Sequence, residues 1–387
     1  MDHLYIELGP GKQLNEIVFA GSHDAGISTG GSNARTQDLD ILGQAQAGVR
    51  FFDVRVAAKS MPDVGQGKQA ELRTFHAPGL KTENKSRYAV DLGRQSHIDV
   101  SKLKGEGMGA EWGQGLSDIL RQAKSFVESG TFSSEFLILK FDKSTNWTRI
   151  AETCVTVLGT AIYNGGGNLN TATLERLAGK VIILFPPDGI RAVYPLYSQV
   201  IHGWKNLYKP PSAYDAAFQG LQYWGAGGTS VAKPFKKRHQ NIKNQDKILE
   251  SATTGVQVKK KFQKFKTIEF ANTAADPDAM GMMYWTTTGI FESIADRNEQ
   301  MWAQKNIGGI DTMWLKSFTA FLEYFESSLP QNTQVSYSSG GTLKLFMPNI
   351  VMIDFSNDEK CNYIYGLNTV AATKLVKATE LLYEQMF

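Results

Sequence analysis

Cysteine is almost absent from this chain: 387 residues contain only Cys154 and Cys361. Two distant cysteines exclude a disulfide framework, and neither lies in a metal-ligand spacing. An excess of one charge is lacking too. Forty-one Lys and Arg stand against 38 Asp and Glu, a net charge of +3, too small to argue for a nucleic-acid partner, and no nucleic-acid-binding motif appears. No stretch of eighteen apolar residues is present to span a membrane. Met1–Lys12 shows no basic segment followed by an apolar one, so a secretory signal is not visible. There is no internal repeat. The Gly-rich pieces at Asn164–Asn168 and Gly225–Gly228 read as loops and not as interdomain linkers.

Hydrophobic residues make up 42% and charged residues 20%, the balance of a packed protein. Short apolar runs recur at Glu16–Ala20, Val49–Val56, Leu72–Phe75, Phe136–Phe141, Val181–Phe185, Leu221–Trp224, Thr267–Ala271 and Ile350–Phe355. They are continuous and not alternating, as in parallel strands buried on both faces. Helical patterns lie between several of them. Leu116–Glu128 places Leu116, Ile119, Leu120, Ala123 and Val127 on one stripe, and Arg149–Leu158 and Met313–Leu329 read alike. Val370–Phe387 is expected to be an amphipathic helix closing the fold. Eight strands alternating with helices favour an α/β fold, a (β/α)8 barrel of TIM type; a doubly wound sheet has the same alternation, and the pattern alone leaves that choice open. One domain over 1–387 is expected, with an irregular insertion at about 190–265.

The chemistry concentrates early in the chain. The segment IVFAGSHDAGI (Ile17–Ile27) runs a strand into His23 and Asp24, at the end where TIM-type barrels carry their reactive groups. In GVRFFDVRV (Gly48–Val56), Asp53 and Arg55 are two apart and share one strand face. LRTFHAPGL (Leu72–Leu80) ends a third strand on His76. Two imidazoles suit a phosphodiester: one accepts the attacking hydroxyl's proton while the other protonates the leaving oxygen. A guanidinium neutralises charge on the non-bridging oxygens, and carboxylates orient each imidazole. Taken singly, each is ordinary: a lone strand-end histidine is usually a cap or core residue, and Asp53–Arg55 a structural ion pair. The ordered set is far more specific.

GSHDAG, then GVRFFDVRV, then FHAPG resembles the X-domain signature of the phosphatidylinositol-specific phospholipases C, the bacterial ones in particular. The resemblance implies a distorted TIM barrel and cleavage of the glycerol–phosphate bond, the inositol 2-hydroxyl attacking phosphorus to give a cyclic phosphate and diacylglycerol. It implies His23 as general base, His76 as general acid, Asp24 as the partner of the second histidine, and Asp53 with Arg55 beside the phosphate. Asp354, ending MPNIVMIDF (Met347–Phe355), takes the place of the acid that bonds the general base. Arg55 stands where calcium-dependent members carry an acidic ligand, so no metal and no other cofactor is expected. In FLILKFDKS (Phe136–Ser144), Lys140 and Asp142 fall where substrate contacts are expected, and Tyr223, Trp224, Tyr284 and Trp285 are candidates for an aromatic wall. The sequence departs from the pattern after GKVIILF (Gly179–Phe185), where Pro186 and Pro187 replace an inositol-binding arginine.

The stretch Lys233–Lys266 carries eleven Lys and Arg against Asp246 and Glu250. With Phe235, Phe262 and Phe265 it forms a candidate surface for transient, peripheral contact with anionic lipid; a solvated charged face is the plain alternative. The expected partner is therefore a phospholipid substrate at a membrane surface, met by a monomer and not by nucleic acid. Secretion or delivery as an effector is expected, with a cytoplasmic protein touching the membrane as the alternative. A phosphodiesterase of the same fold with a non-inositol headgroup, and a non-catalytic lipid-binding barrel, stay open.

Overall fold

The computed structural model describes residues 3–32, 34–59, 71–76, 89–92, 95–98, 111–207, 212–225, 267–270, 278–286, 294–302, 334–337 and 349–369. The expected helices at Met313–Leu329 and Val370–Phe387, and the basic stretch Lys233–Lys266, lie outside the described residues.

Eight parallel strands close into a barrel. In chain order around it they are β1 (Phe19–Ser22), β2 (Val49–Val54), β8 (Phe136–Phe141), β9 (Lys180–Phe185), β10 (Ile201–Asn206), β11 (Gly220–Trp224), β13 (Met280–Trp285) and β15 (Ile350–Ile353). Closure through β1 and β15, in register from Phe19↔Ile350 to Ser22↔Ile353, rules out the open doubly wound sheet. A second sheet holds β3 (Val56–Lys59), β4 (Glu71–His76), β5 (Ala89–Leu92), β6 (Gln95–Ile98) and β7 (Glu111–Gly115), and β12 (Thr267–Phe270) pairs with β14 (Gln334–Tyr337). The helices are α1 (Ile41–Ala47), α2 (Leu116–Glu128), α3 (Trp147–Leu158), α4 (Leu174–Leu177), α5 (Pro187–Val193), α6 (Ile294–Trp302) and α7 (358–369).

Three expectations are corrected. Leu72–Phe75 is a strand, but not of the barrel: β2 runs through Arg55 into β3, which pairs antiparallel with β4 from Val56↔Thr74 to Lys59↔Glu71. Thr267–Ala271 is displaced from the barrel by Met280–Trp285, whose Met and Gly content hid it from a search for β-branched runs. Within the stretch expected to be irregular, β10 is a barrel strand not expected from the sequence; it pairs with β11, the expected Leu221–Trp224 strand, in register from Gly203↔Gly220 to Asn206↔Tyr223. In β10, IHGWKN, polar residues interrupt the apolar run, so no strand was legible there.

Alternation along each strand divides the apolar residues into two cores. Phe19, Phe51, Phe136, Ile138, Leu184 and Met352 point inward, and Tyr5, Leu14 and Ile17 from the N-terminal segment join them. Phe52, Val54, Leu139, Phe141, Ile183 and Ile353 point outward against the helices. α2 buries Leu116, Ile119, Leu120, Ala123, Phe126 and Val127 on that outer layer. Each fully buried side chain of this size contributes about 1.5–3 kcal/mol. α1 is started by Asp40, whose carboxylate accepts from Gly43 N at 2.8 Å, and stopped by Gly48 in the left-handed region. That stop turns the chain straight into β2. Among the described residues no helix is long and apolar enough to cross a membrane.

Candidate active site

Towards the C-terminal ends of the strands the inward positions change from apolar to charged. On β2 the sequence passes from Phe51 to Asp53 and on to Arg55; on β8 it passes from Ile138 to Lys140 and Asp142. β1 ends one residue before His23, and β15 one residue before Asp354. His76 arrives differently. β4 lies beside β3, and Phe75 N donates to Arg55 O at 3.0 Å, so the second sheet carries the imidazole to the rim of the barrel.

These groups converge on Asp24. His76 Nδ1 lies 2.7 Å from Asp24 Oδ2, Arg55 Nε 2.9 Å from Asp24 Oδ1, and His23 Nε2 3.7 Å from Asp24 Oδ2. His23 Nδ1 is bonded to Asp354 Oδ1 at 3.0 Å, and Asn298 Nδ2 of α6 donates to Asp354 Oδ2 at 3.0 Å. The His23 ring stands edge-on to Tyr284 at 5.8 Å. Asp24 itself has a left-handed backbone, φ 44°, a strained conformation of the kind that gathers at functional sites. Its side chain is 1% exposed, against 13% for His23 and 14% for Arg55, so the carboxylate is sealed beneath the two cations.

Lys140 forms a second focus. Its Nζ donates to Asp53 Oδ1 at 3.0 Å, lies 3.9 Å from Asp142 Oδ2, and sits 4.4 Å over the Trp204 ring. Trp204 is held in turn by its Nε1 donating to Phe141 O at 2.9 Å and by stacking on Tyr223. A buried charge is tolerated only when paired in this way.

The environment sets each group's charge. Burial opposes the imidazolium of His23, yet Asp24 and Asp354 outweigh it and push its pKa up to about 9. Burial likewise works against the Asp24 anion, but Arg55 and His23 hold its carboxyl well below the usual range. Asp354 is pushed upward by burial, with His23 opposing. Lys140 keeps its charge: burial disfavours it and Asp53 more than compensates. Burial raises the Tyr284 phenol well above its ordinary value and that of Tyr223 to about 12, so both are neutral hydrogen-bonding groups.

Of the residues singled out in the sequence, His23, Asp24, Asp53, Arg55, His76, Asp354, Lys140, Asp142 and Tyr284 all lie at this end of the barrel. Trp285 does not. It follows Tyr284 on one strand and so faces the opposite side; its side chain is buried in the outer core with Met283 and Ile353. The aromatic rings beside Lys140 are those of Trp204 and Tyr223. Neither Trp204 nor Asn298 follows a recognisable motif; period-two alternation through Trp204 and Asn206 is the signal the sequence offers for the former.

His23, Asp24 and Asp53 offer ligand atoms within 4.8 Å of one another. Calcium requires six to eight oxygen ligands. Here each carboxylate already faces a cation, Arg55 or Lys140, and the donor set does not fit that ion.

Fold and site together define a TIM-type barrel bearing two imidazoles and a guanidinium gathered on one buried carboxylate. The chain is 44% identical over 68 residues to the 1-phosphatidylinositol phosphodiesterases of Staphylococcus aureus strains Newman and NCTC 8325 / PS 47, over 16% of this chain and 22% and 21% of theirs. The matched segment thus spans about a fifth of those relatives' length. Among solved structures, the phosphatidylinositol-specific phospholipase C of S. aureus aligns over 94% of this chain and 96% of its own, with 15% identity and a TM-score of 0.47. A calcium-dependent phosphoinositol-specific phospholipase C from a Pseudomonas species aligns over 53% and 71%, with 13% identity and a TM-score of 0.31. No family model matches.

Proposed function

We propose that this chain is a phospholipase C-like phosphodiesterase that cleaves the glycerol–phosphate bond of phosphatidylinositol or a related lipid without a metal ion. The observation that carries this is the shared carboxylate: Asp24 meets Arg55 and both imidazoles within 3.7 Å. His23 accepts the proton of the attacking headgroup hydroxyl through Nε2, while Asp354 on Nδ1 fixes the tautomer and stabilises the imidazolium. The new oxygen–phosphorus bond forms as the bond to the glycerol oxygen breaks. Arg55 faces the charge that gathers on the non-bridging oxygens. His76, its Nδ1 on Asp24, presents Nε2 to protonate the departing diacylglycerol. Lys140, pinned between Asp53 and Trp204, supplies fixed positive charge behind the headgroup, and Trp204, Tyr223 and Tyr284 supply aromatic and neutral polar surface suited to a ring of hydroxyls.

A second reading, a headgroup other than unmodified inositol, is favoured by Pro186 and Pro187 at the end of β9, where the related phospholipases are expected to present an arginine. Peripheral contact with anionic lipid through Lys233–Lys266 belongs to the same proposal: vesicle binding should fall steeply with added salt, and salt-insensitive binding would rule it out. The function itself is tested by a phospholipid panel in excess chelator. A cyclic phosphate as the water-soluble product identifies an attacking headgroup hydroxyl, and a linear product from another headgroup selects the second reading.

A further inference from the structure

Resting on the function just proposed, we infer that Gln37 is a positioning residue, a buried strut that sets His23 against Asp354. The Gln37 side chain is fully buried and uses every strong direction it has. Its Nε2 donates to His23 O at 3.0 Å and to Ile353 O at 3.3 Å. Its Oε1 accepts from Ser356 N at 3.0 Å and from Ser356 Oγ at 2.9 Å. Two acceptors face one end of the amide and two donors the other, so its orientation follows from the network.

The location explains the need. β1 and β15 are paired only as far as Ser22↔Ile353, with one further bond from His23 N to Ile353 O at 3.0 Å. Beyond that, both chains leave the sheet through residues with positive φ, Asp24 at 44° and Phe355 at 50°. Such conformations persist only where the surroundings over-determine them. Thr36 and Gln37 provide that surrounding. Thr36 Oγ1 donates to Asp24 O at 3.0 Å, Phe355 N donates to Thr36 O at 2.7 Å, and both Thr36 N and Gln37 N are tied to Ile27 O. One dipeptide thus grips the backbone on both sides of the His23–Asp354 contact without touching either side chain.

A strut that only adds stability and one that positions the base differ in what they move. The charged and titratable groups facing His23 are Asp24, Arg55 and Asp354, with His76 reached through Asp24 and the Tyr284 ring at its edge. Only the Asp354 contact depends on the backbone that Gln37 spans from the far strand. Gln37→Met keeps the side chain's length and removes all four bonds; Ser356→Ala removes one. Turnover of phosphatidylinositol vesicles by Gln37→Met should fall roughly 100-fold in kcat, the scale of a misplaced catalytic group, with KM little changed. The His23 imidazole, followed by NMR, should titrate below its value of about 9, with Ser356→Ala shifting it less in the same direction. Folded variants that keep kcat and the His23 titration while only Tm falls would overturn the inference. If Gln37→Met does not fold, the Ser356→Ala titration decides. If the wild type turns over no phosphodiester, the proposed function fails and the NMR titration still decides the strut.

Discussion

In the role proposed for it as general base, His23 must be neutral to take a proton, yet Asp24 and Asp354 favour its imidazolium form and raise its pKa to about 9. At neutral pH the base is therefore mostly protonated in the free protein, and kcat/KM should climb with pH towards about 9. Asp354→Asn removes one of the two anions responsible. Its rising limb should move to lower pH while the maximum falls, which a pH–rate profile over the free enzyme would show; an unmoved limb would detach Asp354 from the base. His23→Ala and His76→Ala should each reduce turnover by roughly 10²–10⁴-fold, the usual worth of a positioned acid or base, read from diacylglycerol release with CD to verify folding. These effects live on side chains that the sequence displayed. The GSHDAG, FFDVR and FHAPG segments put His23, Asp24, Asp53, Arg55 and His76 on view because strand ends and i, i+2 spacing are local properties. Trp285 misled for a local reason as well: neighbouring residues on a strand cannot both face the lumen.

At the scale of elements, the barrel was legible wherever a strand was uninterrupted apolar sequence, as in FLILKF and KVIILF. It was hidden wherever inward positions were polar or glycine, as in β10, because the lumen near the site is not built from aliphatic residues alone. Pairing was hidden too: nothing in LRTFH says that β4 joins β3 and not the barrel. Two junctions illustrate what holds the elements in place. At Gly220 a Cβ would lie 1.9 Å from Gly203 O, with φ at +147°, so only glycine permits β11 to lie against β10. Gly220→Ala should lower Tm markedly in a thermal melt, and a neutral outcome would contradict this packing. Below the barrel, Arg50 and Glu135, both fully buried, are joined at 2.7 Å. Arg50 also donates to Ala45 O, Val49 O and His3 O, and Glu135 Oε1 accepts from Ile6 N. This knot ties the N-terminal segment, α1 and β2 to the approach to β8. Glu135→Ala strands the guanidinium, and should cost about 3–5 kcal/mol of stability in urea denaturation.

For the molecule as a whole, the same charges that make a site make stability depend on pH. The folded pKa of His23 lies above its ordinary value of 6.5, at about 9. The stabilisation from its imidazolium is thus complete below about 6.5 and disappears as pH rises to about 9, a loss of roughly 3 kcal/mol by proton linkage. Denaturation at pH 6 and pH 9.5 should show that decline in the wild type and a smaller one in His23→Gln. Asp24 contributes in the opposite direction: its depressed carboxyl stabilises the fold above about 3.8, and the contribution fades as pH drops further. In the proposed mechanism, two imidazoles and a guanidinium gathered on one carboxylate do at a phosphorus what a divalent cation would otherwise do. The most direct measurement is therefore incubation of the protein with phosphatidylinositol vesicles in excess EDTA, with mass-spectrometric identification of the soluble product. The account predicts sustained release of diacylglycerol with an inositol cyclic phosphate; activity that stops in chelator and returns with calcium would contradict it.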